Sequence, residues 1–287
     1  MLKRSLLVPV VFLLAALIAL PFVAGCGGTE TTTTTAAAAG DPIAAADAAV
    51  AAVTKSDAIE TPPTLKEGVL QAGSDTSFAP FEFSDEAGGY VGFDVDLVTA
   101  IAKKMGLEAE VVPTGWDGII PNLVADRYDI IMSAMTITED RQKQISFTDG
   151  YIDTNLAITT LVESPILDEA GLAGKVVGVQ VDTTGQFAVE EVEGVKEIKK
   201  YENSIAAIQD LFVGRVDAVV NDSPVNAYYT RDKPEFGNTG KIGTDDQYGY
   251  GIKQENTALR EAMNAALAEL KADGTYDLIY AKWFGGN

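Results

Sequence analysis

The chain has 287 residues, a formal net charge of −21, one cysteine and no histidine. Without histidine, imidazole catalysis and a His-bearing metal site are excluded, and a lone cysteine excludes an intrachain disulfide and a Cys cluster for zinc. The acidity disfavours nucleic acid and an anionic membrane surface as partners and is read as solubility; neither metal nor cofactor is expected.

Lys3 and Arg4 precede an almost wholly apolar run, Leu6–Val23, and then Val23-Ala-Gly-Cys26. This is the layout of an export signal. The sequence at the cysteine resembles a bacterial lipobox, with Val23 where Leu is more usual. That implies removal of residues 1–25 as a lipoprotein signal peptide, lipidation of Cys26, and a chain held outside the cytoplasm by that anchor. The alternatives are an uncleaved span of about 18 residues and an ordinary secretory cleavage. Residues 26–63 carry Thr31–Thr35, Ala36–Ala39 and more alanine up to Pro62-Pro63. They hold too few large apolar residues to bury a core, so a tether is expected, with a loose helix over Ile43–Ile59 left open.

The folded part begins with a strand at Val69–Ala72 and an aromatic-rich loop, Asp75–Phe83. Phe93, Leu97, Ile101 and Met105 recur every four residues and predict a helix over Asp94–Met105, ended by Gly106. A strand at Glu108–Val112 follows, then a helix entered through Trp116–Leu123, then a strand at Tyr128–Met132. Ser133–Thr136 is a polar loop. Thr138 is the predicted N-cap of the next helix, and Glu139 and Asp140 suit the positive end of its dipole. Arg141 does not, since it adds positive charge to that end. It either pairs with a nearby acid or shares an incoming anion with the free N–H groups, and this stretch alone leaves both open. Further strands are predicted at Leu156–Val162, Lys175–Gln180 and Asp217–Val220. Helices are predicted through Val189 and over Ser204–Val213, Thr257–Ala272 and Tyr276–Phe284. This alternation means an α/β architecture. Asp75, Ser133–Thr136, Thr183-Thr184 and Asn221-Asp222 follow strands, at the edge where open α/β sheets bind ligands.

Several blocks then fall in a familiar order: Asp75–Phe81, Gly92–Leu97, Gly118–Pro121, Ser133–Arg141, Phe147–Asp149, Gly174–Gln180, Asp217–Val220, Asp273–Asp277 and Lys282–Phe284. Over about residues 65–285 the chain closely resembles the family 3 solute-binding proteins of ABC transporters for polar amino acids, such as the glutamine-binding and lysine/arginine/ornithine-binding proteins. The resemblance implies the type II periplasmic-binding-protein fold, with two α/β lobes closing about two hinge crossovers. Lobe 1 would be 64–154 and 249–287, lobe 2 would be 155–248, and the crossovers would lie near Thr154–Leu156 and Gln247–Gly249.

It also implies roles. Arg141 would grip an α-carboxylate, Thr184 would add a bond to it on closure, and Asp222 would accept from the α-ammonium. Ser133, Ala134 and Thr136 would surround the ligand with backbone or hydroxyl bonds. Phe78 and Trp116 would sandwich its side chain; without the resemblance, ordinary core packing is the favoured reading of both aromatics. Asp75, Gln180 and Asn221 would select among side chains. Gln180 stands where the glutamine-binding relative has Lys, and Asn221 where it has His. Asp182 replaces the family's usual Gly, so that loop is expected to bend differently. Asp75 without the Lys makes a basic ligand such as arginine or lysine as suitable as glutamine, and disfavours a dicarboxylic one. The expected partners are a polar amino acid and ABC permease subunits, for a monomer without enzymatic activity. Two alternatives are a periplasmic cyclohexadienyl dehydratase on the same fold, with Asp75 or Asp222 as its acid, and an extracellular amino-acid sensor component.

Overall fold

The computed structural model describes residues 41–285. The expected signal peptide, Cys26 and the rest of the chain up to residue 40 lie outside the described residues. In chain order the first part comprises helix α1 (Pro42–Ala52), strands β1 (Val69–Ser74), β2 (Ser77–Phe78), β3 (Glu82–Ser84) and β4 (Tyr90–Val91), helix α2 (Phe93–Lys104), strand β5 (Glu108–Pro113), helix α3 (Ile119–Val124), strand β6 (Ile130–Ile131), the single turn α4 (Glu139–Gln142) and strand β7 (Ser146–Phe147). The middle part follows with β8 (Ile152–Leu161), β9 (Val176–Gln180), α5 (Thr184–Glu190), β10 (Glu197–Tyr201), α6 (Ser204–Phe212), β11 (Ala218–Asp222), α7 (Ser223–Thr230) and β12 (Phe236–Tyr248). The chain then returns with β13 (Gly251–Ile252), α8 (Thr257–Ala272) and α9 (Thr275–Phe284).

Two five-stranded sheets result, one per lobe, in the orders β5-β1-β6-β13-β7 and β10-β9-β11-β8-β12. β1 runs parallel to β5 and β6, and β9 parallel to β10 and β11. Parallel neighbours need helical crossovers, and α2, α3, α5 and α6 supply them. The chain leaves the first sheet after Phe147 and returns at Gly251, so β8 and β12 carry both connections. They pair from Ile152↔Tyr248 to Leu161↔Phe236. This is the two-lobed type II architecture.

Helix α2 follows its sequence pattern: Phe93, Leu97, Ile101 and the C-cap Met105 are fully buried in lobe 1, and Gly106 stops it at φ 77°. Lobe 2 has its own apolar centre around Ile158, Val177, Val179 and Val220. Two expectations change. The Asp75–Phe83 loop is in fact hairpin-like, since β2, β3 and β4 form a small antiparallel sheet. The tether expected to run through Pro63 does not include residues 42–61, which pack on lobe 1. Asp41 caps α1, Ala46 is fully buried, and Lys282 Nζ bridges Asp47 at 2.6 Å and Asp96 at 2.8 Å. Lys103 Nζ donates to the Val50 carbonyl, Ser56 Oγ to Glu269, and Thr61 Oγ1 to the Met105 carbonyl. Composition misleads here because an alanine helix needs no core of its own: small side chains let it lie close against one that exists. No described helix is long and apolar enough to cross a membrane.

Candidate functional site

Thr138 caps α4 as expected, its side chain accepting from the Arg141 N–H. The cap turns Arg141 inward. Its guanidinium is buried, and Nη1 donates to the Thr136 carbonyl at 2.8 Å, so it is not tied to Glu139 or Asp140. Burial lowers its pKa to about 10, against the opposing pull of Asp222. Asp222 ends β11 in lobe 2. Burial raises its pKa to about 7, restrained by the Tyr248 hydroxyl and the charge of Arg141. Among the described residues no ion pair joins the two, yet both line one cavity.

That cavity spans about 310 Å³ of space between atoms, its opening to solvent included. Asp75, Phe78, Trp116, Ser133, Ala134, Thr136, Arg141, Gln180, Thr183, Thr184 and Asp222 line it. Ten of the eleven residues singled out in the sequence are therefore brought together. Asn221 is the exception. Successive residues of a strand face opposite ways, so with Asp222 toward the cavity Asn221 points into lobe 2. There it bonds Asn226, which bonds Thr159 Oγ1 at 2.7 Å. Thr183 is the addition; as N-cap of α5 it accepts from Gln186 N and donates to the Gln180 carbonyl at 2.8 Å. Asp182, expected to bend its loop differently, holds φ 56°, a left-handed conformation that suits Gly and that Asp tolerates.

The lobe 1 wall rests on two buried carboxyls that sequence reasoning missed, Glu82 and Asp94. Ser133 Oγ accepts from the Asp75 N–H and donates to Glu82, both at 3.0 Å. Asp94 Oδ2 accepts from the Ala134 N–H at 3.1 Å and the Tyr151 hydroxyl at 2.7 Å. These bonds hold Ala134 at φ 41°. The Ser133 hydroxyl and Ala134 N–H are thus engaged within the wall. Burial raises both acids, Asp94 to about 7 and Glu82 well above the usual carboxylate range, with the charge of Asp94 adding to the effect on Glu82. The only sequence signal was two acids inside otherwise apolar blocks, Phe81-Glu-Phe83 and Phe93-Asp-Val95.

At the far end Asp75 is held by its neighbours: Ser77 Oγ donates to Oδ1 at 2.6 Å and Gln180 Nε2 to Oδ2 at 3.0 Å. Burial raises its pKa, against these two bonds. Gln180 comes from lobe 2, so its bond joins the lobes. A second bond runs from Trp116 Nε1 to the Asp182 carbonyl at 3.1 Å, and the Trp116 ring also lies 5.2 Å from the Arg141 guanidinium carbon. Phe78 lines the cavity from β2, backed by Phe81.

A two-lobed α/β protein closed on a small cavity with charged groups on both walls is a receptor for a small polar ligand. Residues 70–286 match the bacterial extracellular solute-binding proteins, family 3, and the chain belongs to that family. It is 35% identical over 220 residues to ABC transporter arginine-binding protein 1 of Escherichia coli (strain K12), covering 75% of this chain and 90% of that protein. Among solved structures it resembles an ancestral arginine-binding protein bound to arginine, with 42% identity and a TM-score of 0.73, over 76% of this chain and 99% of that one. An ancestral arginine-binding protein bound to glutamine matches at the same identity and TM-score, over 77% and 100%.

Proposed function

We propose that the protein is the solute-binding lipoprotein of an ABC importer, anchored through Cys26, that captures a basic amino acid, arginine first, and delivers it to a permease. The charge inventory of the cavity carries the reading: one cation, Arg141, faces two carboxylates, Asp222 and Asp75. An α-carboxylate on Arg141 and an α-ammonium on Asp222 use one charge of each sign. Asp75 is then left for a cationic side chain, which Phe78 and Trp116 flank. Each charge-assisted bond is worth roughly 1.5–3 kcal/mol. Thr184 adds a bond to the carboxylate, and the Ala134 and Thr136 wall orients the ammonium. A relative named for arginine and an ancestral neighbour holding arginine support the choice. Glutamine is the second ligand, because the Asp75 carboxylate accepts equally from an amide and an ancestral neighbour holds it.

Calorimetric titration of ligand-stripped protein with the common amino acids tests the reading. Arginine should bind tightest, lysine and glutamine more weakly, and aspartate and glutamate not at all. A preference for a dicarboxylic or apolar amino acid would exclude the assignment. Turnover of arogenate or prephenate would replace it with the dehydratase.

A further inference from the structure

Away from the cavity, the lobes meet along a second seam that no ligand role accounts for. Helix α7 of lobe 2 sets Val225, fully buried, into the apolar core of lobe 1. One turn on, Tyr228 lies 5.7 Å from the ring of Phe83 on β3. Next to it, Tyr229 packs against the cores of both lobes. Its hydroxyl donates to the Ser77 carbonyl at 3.1 Å and accepts from the Ala79 N–H at 3.4 Å. Those two backbone groups flank Phe78, whose side chain lines the cavity. Tyr229 itself does not.

We propose that Tyr229 is a positioning residue, a latch that sets how readily the lobes close, and so scales affinity for every ligand by one factor. With the lobes apart, its hydroxyl and the Ser77 and Ala79 backbone groups are hydrated separately. With the lobes closed, each satisfies the other. Removing the hydroxyl therefore harms only the closed form, where it leaves a carbonyl and an N–H partly buried without their partner. Apparent affinity follows the fraction of protein able to close, whatever the ligand carries as a side chain. Selectivity stays with the Asp75 carboxylate, which Tyr229 does not touch.

The experiment compares wild type with Tyr229→Phe, using L-arginine and L-glutamine as probes. Tyr229→Phe should weaken both by the same factor, about three- to tenfold. The ratio of the two affinities should hold within twofold, and the ligand-free melting temperature within a degree. An unchanged affinity, an altered ratio, or a melting temperature lowered in the ligand-free protein would each overturn the latch. The choice of probes rests on the amino-acid reading. If wild type binds neither, that reading fails, and small-angle scattering then judges the latch alone. The ligand-free Tyr229→Phe protein must be the more extended of the two; equal radii of gyration would overturn the proposal.

Discussion

The two ends of the cleft are built on opposite plans. At the Arg141 end, charges of opposite sign face each other across the cavity with no ion pair between them. Each is fixed from within its own lobe: Arg141 by the Thr136 carbonyl, Asp222 by its place at the end of β11. At the Asp75 end the lobes touch directly, through Gln180. The first plan leaves two buried charges incompletely matched, which costs free energy until a zwitterion arrives. The second plan places a neutral amide on a carboxylate, a contact that a side-chain cation can share. The Arg141 end therefore supplies affinity common to all amino acids, and the Asp75 end divides it among them.

The severest break of this division is Arg141→Ala. Removing one member of a buried charge constellation costs about 2–5 kcal/mol of binding, or roughly thirty- to several-thousand-fold. The loss should be the same for arginine and glutamine in calorimetry. Ligand-free stability should move by no more than about 1 kcal/mol, because a desolvated charge leaves together with one hydrogen bond. An arginine-only loss would place Arg141 at the selective end.

Asp75→Asn makes the complementary cut. Arginine should weaken by about ten- to a hundredfold, and glutamine by less than about threefold, since an asparagine oxygen still accepts from an amide. The order of preference then inverts. If both ligands weaken equally, the two ends are not independent.

Acidity sharpens the comparison without a substitution. Asp222 holds its proton up to about pH 7, and an ammonium binds only its ionised form. Affinity for any amino acid should thus fall by up to about tenfold per pH unit below 7, and level off above it. Stability of the ligand-free protein runs the other way. Asp222 and Asp94 ionise near 7 when folded but near 3.8 when unfolded. Between those values the folded protein binds more protons, so their contribution is full below about pH 4 and is lost as pH rises to about 7. Denaturant midpoints at pH 5 and pH 7.5 check the sign. Asp222→Asn should remove the pH dependence of binding.

The same contrast runs through what the sequence made legible. Arg141 announced itself by breaking a local rule, a cation in the first turn of a helix, and Asp222 by following a buried strand. The capped helices and the buried strands β1, β9 and β11 were readable for the same reason, local pattern agreeing with tertiary need. Reading failed where that agreement lapsed. Three glycines and two register shifts within β12 hide a 13-residue strand behind loop-like composition. Helix α7 opens on Ser-Pro with no side-chain cap and is held by the opposite lobe, which no local signal reveals. Asn221 was assigned to the cleft beside Asp222, although period-two alternation forbids both from facing it. Helix α1 borrows a core encoded two hundred residues away, in α9.

The smallest expected effect concerns Trp116, which touches both plans. Its ring lies beside the Arg141 guanidinium, and its indole N–H crosses to the Asp182 carbonyl. Trp116→Phe keeps an aromatic face and deletes the crossing bond. That bond lies in the exposed part of the cleft, so water replaces the lost donor and the closed form suffers little. Binding of arginine and glutamine should weaken together by about two- to threefold, with the change in the dissociation rate, as read by stopped-flow. A loss above tenfold would mean that the ring, by screening the Arg141 charge from solvent, does more for the common end of the cleft than the hydrogen bond does for closure.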